Sequence, residues 1–523
     1  MWVFTAGRVR MLAPMVDGSP EDEDGDPGNL TGRVIRGVGM AGAGYIAAQA
    51  LNLAFYVGLA RLITPSQFGE YAAGSLLVGV GLLVSESGIM SALVQRRGKI
   101  EEAASTATVS TFLSGIVFGL AALAFSPLVG QFFGSDRIGT IAAVISGVIF
   151  LRTLSAVPDA MLQRRFSFLR RIIIEPISVV AFGIAAIIAA SQDLGPWSLV
   201  IGQYAASTSD VLLSWTLARW RPNLRLASYR MWRELVAYGR HVLAATIVLR
   251  IGEQSDSIWL GRFLGTAPLG QYRYAFRLAS TPYWALVAGA SYVLFPAFSR
   301  IATDPVRFES AFLRSLRWMA FAAFPAAFLL LGVGEPLAVV LFGRVWQAAG
   351  VATMAMFAYT AGGALSSIAS EALKAHGRPD LLTRMHGLTT VLTAGLMGAM
   401  LPLGLNGVAA ALSIGWSVSA IYAISLLTKH AGFSRAAMWK EIWPPAAAGL
   451  CMGAVLVPLE QLVFDAASRP WVQAAPLLVA EAAIGSVVFL FAIRVLAPST
   501  MAELMDGLRS LRRRGGTPEG AQG

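Results

Sequence analysis

The amino-acid sequence predicts an all-α integral membrane protein with about fourteen transmembrane helices. Three observations support this fold class: the composition, the distribution of basic residues between apolar segments, and an internal repeat. Hydrophobic residues make up 56% of the 523 residues and charged residues only 14%. A soluble domain carries about a quarter charged residues. Most of the surface is therefore expected to face lipid.

The apolar segments are long enough to cross a bilayer, which takes about 20 residues in a helix. The predicted spans are 38–60, 70–92, 105–127, 137–158, 172–191, 195–217, 238–260, 273–297, 314–334, 345–371, 385–402, 406–427, 441–458 and 471–497.

Basic residues alternate between the connections of these spans. If the N-terminus lies inside, the inside connections and tails carry 29 Lys and Arg residues, and the outside connections carry 4. The four outside residues are Arg61, Arg262, Arg344 and Arg469. Basic residues collect on the cytoplasmic side of membrane proteins. This pattern predicts a multi-pass membrane protein with both termini in the cytoplasm.

Two stretches that lie 201 residues apart share one pattern. Arg61-Leu62-Ile63 leads to Gly69-Glu70-Tyr71, and Arg262-Phe263-Leu264 leads to Gly270-Gln271-Tyr272. Six spans between the copies would give both the same direction through the membrane. Parallel repeats of this kind are typical of transporters whose substrate site lies between two halves.

The repeat and the composition divide the chain into six parts. The predicted parts are a disordered cytoplasmic N-tail (1–36), an N-terminal six-helix bundle (37–217), a cytoplasmic linker (218–236), a C-terminal six-helix bundle (237–428), two additional transmembrane helices (429–497) and a basic cytoplasmic C-tail (498–523).

Several classes of function are excluded or disfavoured. The net charge of +11 could indicate nucleic-acid binding, but the basic residues follow the membrane topology instead. Cys451 is the only cysteine and the four histidines are scattered, so neither a disulfide nor a metal site is expected. No nucleotide-binding loop or catalytic constellation is present, and the outside connections are short. We therefore expect neither a cofactor nor an enzyme, including one that polymerises or ligates glycans.

Charged and polar residues cluster in the seventh and eighth spans. An ionised residue at the bilayer centre costs about 2.5–3.5 kcal/mol, so these residues must pair or face a wet cavity. One interpretation is an Arg250–Glu253 pair, with Asp256 bridging to the next helix. The other is a cationic cavity for an anionic headgroup, and arginine forks suit a diphosphate. The residues concerned are Arg250, Glu253, Gln254, Asp256 and Ser257 in the seventh span and Arg273 and Arg277 in the eighth.

The first span carries a polar stripe. Tyr45, Gln49, Asn52 and Tyr56 lie within about 60° of one another on a helical wheel. Such a stripe does not belong against lipid. It predicts either hydrogen bonds between helices or a cavity wall for sugar hydroxyls.

Four motifs in the chain resemble Wzx-type polysaccharide flippases, which are lipopolysaccharide or exopolysaccharide exporters of the MOP exporter superfamily. The resemblance covers roughly residues 35–500. The motifs are the stretch from Gly58 to Tyr71, Ser85-Glu86-Ser87-Gly88 with the following Ser91 to Arg96, the stretch from Pro158 to Arg164, and Asp256 to Arg262 with Leu269-Gly270-Gln271-Tyr272.

The resemblance implies two pseudo-symmetric six-helix bundles around a central cavity, plus two C-terminal helices. It implies a location in the bacterial cytoplasmic membrane and a polyprenyl-diphosphate-linked oligosaccharide as substrate, turned from the cytoplasmic to the outer leaflet. Our hypothesis for the mechanism is alternating access. The family's cationic cavity maps onto Arg250, Arg273 and Arg277. Membrane lipid is an implied partner, as are a polysaccharide polymerase and glycosyltransferases. The alternatives are a cation-coupled, MATE-like multidrug antiporter and a flippase for the lipid-linked peptidoglycan precursor.

Overall fold

The computed structural model describes residues 48–96, 98–164, 168–237, 254–503 and 505–506. Within these residues the chain is helical and contains no β-strand, which confirms the predicted all-α class. The helices are α1 Ala48–Ala60, α2 Pro65–Gly74, α3 Leu76–Gln95, α4 Ile100–Phe133, α5 Asp136–Ile145, α6 Gly147–Arg164, α7 Phe168–Ala190, α8 Pro196–Ala218, α9 229–237, α10 Ser255–Trp259, α11 Thr266–Ile301, α12 Pro305–Phe342, α13 Gln347–Ala355, α14 Phe357–Ala375, α15 Asp380–Ala399, α16 Gly404–Ala431, α17 Arg435–Leu459 and α18 Trp471–Leu496.

Length and hydropathy identify seven helical segments among the described residues that could cross a membrane, or up to nine if two bent pairs each count as one span. One bent pair lies within α11 and consists of Thr266–Ala288 and Val293–Ile301. The other consists of Arg344–Ala355, which contains α13, and the following helix α14. Every predicted span overlaps a helix, although the first and seventh spans lie only partly within the described residues. The number fourteen stays a prediction.

Helix packing separates two groups of helices. In the first half, α4 packs on α3, α5 and α6, and α8 packs on α6 and α7. In the second half, α12 packs on α13 and α14, and α16 packs on α14 and α15. The last two helices, α17 and α18, pack on each other and on α12. Helices α2 and α11, which begin the two copies of the repeat, pack against each other and so join the halves.

Local sequence explains why both repeats break and restart a helix. Thr64 forms a capping box with Gln67 at the start of α2, and Pro65 occupies the first helical turn, where its missing N–H costs nothing. Before α11, a π-helical turn at Leu260–Leu264 ends at Gly265, whose φ of +95° favours glycine. In each repeat a new helix therefore begins at the equivalent position, Pro65 in the first and Thr266 in the second.

Connections of the predicted outside set meet at one end of the molecule. Arg61 donates from Nε to the Leu341 carbonyl at 3.1 Å, and it also contacts the Val340 carbonyl. Arg344 donates to the carbonyl of Ser468. The first, fifth and seventh outside connections thus touch the same end of α12, as the alternating charge pattern predicts.

Connections of the predicted inside set meet at the opposite end. Arg96 forms an ion pair with Glu234 at 2.8 Å, and this bond holds the pKa of Glu234 below its ordinary value. Arg164 donates to the Arg96 carbonyl at 2.6 Å. In the second half, Glu309 accepts the backbone N–H of Ser434 at 2.7 Å. Which end faces the cytoplasm stays a prediction.

Candidate cationic cavity at the junction of the two halves

The two copies of the repeat contact each other directly. A Cβ atom added to Gly69 would lie 1.8 Å from the Thr266 carbonyl oxygen, and one added to Gly270 would lie 1.9 Å from the Pro65 carbonyl oxygen. The hydroxyls of Ser66 and Thr266 are 2.9 Å apart and share a hydrogen bond. The backbone of each copy thus packs directly against the glycine of the other copy. The repeat therefore forms a pseudo-symmetric contact between the halves.

Aromatic side chains seal this junction. Trp346 is fully buried, and its Nε1 donates to the Ala60 carbonyl at 2.8 Å. Its ring lies 3.9 Å from that of Tyr274, which in turn meets Phe68 edge to face at 4.8 Å. Trp346 belongs to the second half, and Ala60 and Phe68 belong to the first. The halves are therefore closed against each other at the end where the predicted outside connections meet.

Helix α11 runs from this junction and carries Arg273 and Arg277 one turn apart. Arg273 donates from Nη2 to Gln254 Oε1 at 2.8 Å and to the Ser257 hydroxyl. The same Nη2 lies 3.8 Å from Asp256 Oδ1. Asp256 is buried and also accepts the backbone N–H of Ser257 at 2.6 Å. Arg273 is thus held by the segment around α10, including a carboxylate, as the first interpretation predicts.

Arg277 has different neighbours. It donates to Asn52 Oδ1 on α1, and its guanidinium carbon lies 3.3 Å from the centre of the Tyr56 ring. The ring face attracts a cation but does not neutralise it. Among the residues that the structure describes, Arg277 makes no ion pair. Within the described part of the chain, Arg277 is thus held by an amide oxygen and an aromatic ring.

The predicted site residues are only partly brought together. Gln254, Asp256, Arg273, Arg277, Asn52 and Tyr56 lie around the junction of α1, α10 and α11, as described. Gln49 lies on α1 and is exposed. Arg250, Glu253 and Tyr45 lie outside the described residues. The Arg250–Glu253 pair therefore stays a prediction.

Sequence reasoning missed two residues on the arginine face of α11. Thr281 and Trp284 are both exposed, and the indole is 47% accessible. At 100° per residue they fall within about 80° of Arg273. The helical spacing from Arg273 and Arg277 was the available signal. Trp284 adds an exposed apolar ring to this face, about two turns of helix beyond Arg277.

Comparison with known proteins identifies relatives by sequence. A family model described as polysaccharide biosynthesis protein matches residues 58–350. The teichuronic acid biosynthesis protein TuaB of Bacillus subtilis is 25% identical over 51% of this chain and 56% of its own length. The succinoglycan biosynthesis transport protein ExoT of Rhizobium meliloti is 24% identical over 55% and 58%, respectively. The lipopolysaccharide biosynthesis protein WzxC of Escherichia coli is 23% identical over 61% and 65%. The chain thus spans between half and two thirds of these relatives.

Solved structures extend the likeness to nearly the whole chain. The lipid II flippase MurJ in an inward closed conformation superposes with a TM-score of 0.72 at 14% identity, covering 88% of this chain and 99% of that one. An inward-facing multidrug resistance MATE transporter of the MOP superfamily gives a TM-score of 0.59 at 16% identity, over 73% and 94%. At these identities the likeness establishes the fold alone. Since the family model covers more than half of the chain, this multi-pass membrane protein belongs to the polysaccharide biosynthesis protein family, and it shares its fold with the MurJ flippase and the MATE transporter.

Proposed function

We propose that this protein moves a polyprenyl-diphosphate-linked oligosaccharide from the cytoplasmic to the outer leaflet of the bacterial cytoplasmic membrane. The relatives named above serve teichuronic acid, succinoglycan and lipopolysaccharide biosynthesis, and these three names have surface polysaccharide in common. The family membership and the transporter fold support the same class of substrate.

The observation that carries the proposal is the environment of Arg277. Its charge lies at the junction of the halves, and its partners among the described residues are the amide of Asn52 and the ring of Tyr56. An arginine fork makes paired, charge-assisted hydrogen bonds to phosphate oxygens. In our proposal Arg277 binds the diphosphate directly. Arg273 pairs with Asp256, and its main role in this proposal is to hold α11 against α10.

We propose that transport occurs by alternating access and that the closed junction is one of its two states. In this proposal a cavity between the halves opens toward the opposite end, and the basic connections favour the cytoplasm for that end. The headgroup enters there and meets Arg277, while Asn52, Tyr56 and Gln49 on α1 offer partners for sugar hydroxyls. Separating α2 from α11 then exposes the headgroup outside. The polyprenyl tail stays in lipid throughout.

The remaining parts of the proposal concern location and partners. We place both termini in the cytoplasm, with the basic connections near anionic lipid headgroups. The protein acts as a transporter and not as an enzyme. Glycosyltransferases that build the oligosaccharide supply its substrate, and a polysaccharide polymerase uses the product on the outer side.

Substituting Arg277 tests the proposal in cells whose only copy of the protein is the variant. We expect Arg277→Glu to abolish surface polysaccharide at normal protein levels, and Arg277→Lys to retain part of it because the charge remains. Arg262→Glu is the matched control, since Arg262 is exposed and lies at the closed outer end. Normal polysaccharide in the Arg277→Glu variant would remove Arg277 from the substrate site.

A further inference from the structure

Two carboxyl groups are buried together between the last two helices. Glu460 follows α17 and is 7% exposed, and Glu481 lies in α18 and is 0% exposed. The two carboxyl groups are close enough for the charge of one to act on the other. Neither oxygen of Glu481 receives a hydrogen bond from the described residues, and the same holds for Oε2 of Glu460. Among the described residues, the one donor to the pair is the backbone N–H of Ala467, which lies 3.3 Å from Glu460 Oε1.

Close helix packing isolates this pair from water and lipid. One turn along α18 from Glu481, Gly485 packs so tightly that an added Cβ would lie 2.7 Å from Met452 and 2.9 Å from Leu456. Leu456 also packs against Gly332 of α12, where an added Cβ would lie 2.6 Å from the Leu456 Cβ. The three helices thus form a dry seam directly beneath the carboxyl groups.

No cation in the described residues neutralises the pair. Charged groups on the elements packed against it have other partners. Glu335 on α12 accepts from Gln347, Arg344 donates to the Ser468 carbonyl, and Asp465 accepts from the Ser468 hydroxyl. The other charged groups on these elements are Arg469 in the same turn, Arg307, Glu309, Arg314 and Arg317 on α12, Arg435, Lys440 and Glu441 at the far end of α17, and Arg494 near the end of α18.

Two adjacent carboxylates in a dry, apolar seam cannot both be ionised, because each charge is desolvated and each repels the other. One proton removes both costs, since the protonated group donates a hydrogen bond to its neighbour. We propose that Glu460 and Glu481 form a proton-binding site that holds one proton while the outer junction is closed. The proposal does not depend on what Arg277 binds.

The pair is connected to the junction through the turn after α17. Glu460 Oε1 accepts the backbone N–H of Ala467 at 3.3 Å, and the next residue, Ser468, accepts the bond from Arg344. Arg344 follows the end of α12, to which Arg61 of the first half is bonded. Loss of the proton would force the carboxylates apart and displace this turn. The closed junction is therefore stabilised at low pH, and this contribution is lost as the pH rises through the titration of the pair.

Infrared spectroscopy of the purified full-length protein in lipid tests the proton directly. We expect a carbonyl band of a protonated carboxylic acid that disappears in both Glu481→Gln and Glu460→Gln. Glutamine preserves the shape of the side chain, so the variants should fold. Glu335→Gln is the matched control and should leave the band unchanged, because Glu335 is bonded to Gln347. A band that persists in both pair variants, or that is absent from the unsubstituted protein, would overturn the proposal.

Cross-linking across the junction tests the connection. Cysteines replace Ser66 and Thr266, whose hydroxyls are 2.9 Å apart, in a Cys451→Ser background. At each pH, the cross-linking yield is divided by the yield of the same double-cysteine protein that also carries Glu481→Gln. This division removes the pH dependence of thiol chemistry. We expect this ratio to fall as the pH rises, because glutamine mimics the protonated pair at every pH. A ratio that stays constant would contradict the link between proton and junction.

Discussion

Gly69 and Thr266 belong to different halves of the protein, yet a Cβ atom on Gly69 would lie 1.8 Å from the Thr266 carbonyl oxygen. The equivalent glycine of the second repeat, Gly270, approaches the Pro65 carbonyl equally closely, at 1.9 Å. The first turns of α2 and α11 therefore pack together at a distance that only glycine allows at positions 69 and 270. Side chains at these positions decide how closely the two halves meet.

Replacing either glycine should open the outer junction. In Gly69→Ala or Gly270→Ala the methyl group meets backbone atoms that cannot rotate away, and overpacking costs about 1–3 kcal/mol. The ratio of closed to open molecules should fall about 5- to 150-fold. The measurement is labelling of a cysteine at position 66 by an impermeant reagent added outside, in a Cys451→Ser background.

Gly387→Ala is the control for the glycine variants, because a Cβ there meets nothing within 4 Å. It should label like the unsubstituted protein. Equal labelling in all the glycine variants would show that the repeat contact does not hold the junction closed.

Removing the side chain of Arg273 should destabilise the protein as well as impair export. Arg273→Ala leaves the buried carboxylate of Asp256 without its cation, and an unsatisfied buried group costs about 1–3 kcal/mol. Thermal unfolding of the purified protein in detergent measures the effect. Adding Asp256→Asn should recover part of the lost stability, because the unpaired charge is removed. No recovery in the double variant would mean that Asp256 does not depend on Arg273.

Trp346→Phe should weaken the closed state while preserving an aromatic ring at the junction. The substitution removes the Nε1 donor to the Ala60 carbonyl, and one hydrogen bond contributes about 0.5–1.5 kcal/mol. That loss alone corresponds to a fall of about 2- to 13-fold in the ratio of closed to open molecules. External labelling at position 66 reports the change. Trp471→Phe serves as the control, because Trp471 is 66% exposed. Equal labelling of the two variants would contradict this prediction.

The last two helices should depend on Arg317 for docking. Arg317 on α12 binds both carboxylate oxygens of Glu441 on α17, at 2.5 and 3.0 Å, and contacts Glu503 at 2.9 Å. Arg317→Ala should therefore increase cleavage by protease between α16 and α17. Arg307→Ala is the matched control, because its side chain is 80% exposed and pairs only with nearby Asp304. Equal cleavage of both variants would argue against this role.

Much of the architecture could be predicted from the sequence, for physical reasons. Apolar length and basic connections follow from the bilayer itself, so they identified the all-α membrane class and the sets of connections that meet at each end. The Arg61–Tyr71 and Arg262–Tyr272 repeat indicated two equivalent halves. It did not reveal that Gly69 and Gly270 touch the other copy, because a one-dimensional pattern carries no information about contacts between halves.

The candidate site was less predictable. Helical spacing placed Arg273 and Arg277 on one face but could not distinguish them. Within the described residues they differ because α10 presents Asp256 to Arg273, whereas α1 presents Asn52 and the Tyr56 ring to Arg277. Such differences depend on how separate helices pack against each other. The residues that carry them therefore become visible only in three dimensions.

Mass spectrometry of polyprenyl-diphosphate-linked glycans tests the central claim most directly. Cells depleted of this protein are compared with the same cells supplied with the unsubstituted protein or with Arg277→Glu. The account predicts that a complete oligosaccharide repeat unit accumulates on the lipid, and that surface polysaccharide is lost, in the depleted and Arg277→Glu cells alone. Accumulation of the peptidoglycan precursor would identify that lipid as the substrate instead. Unchanged lipid-linked glycans on depletion would contradict the flippase function itself.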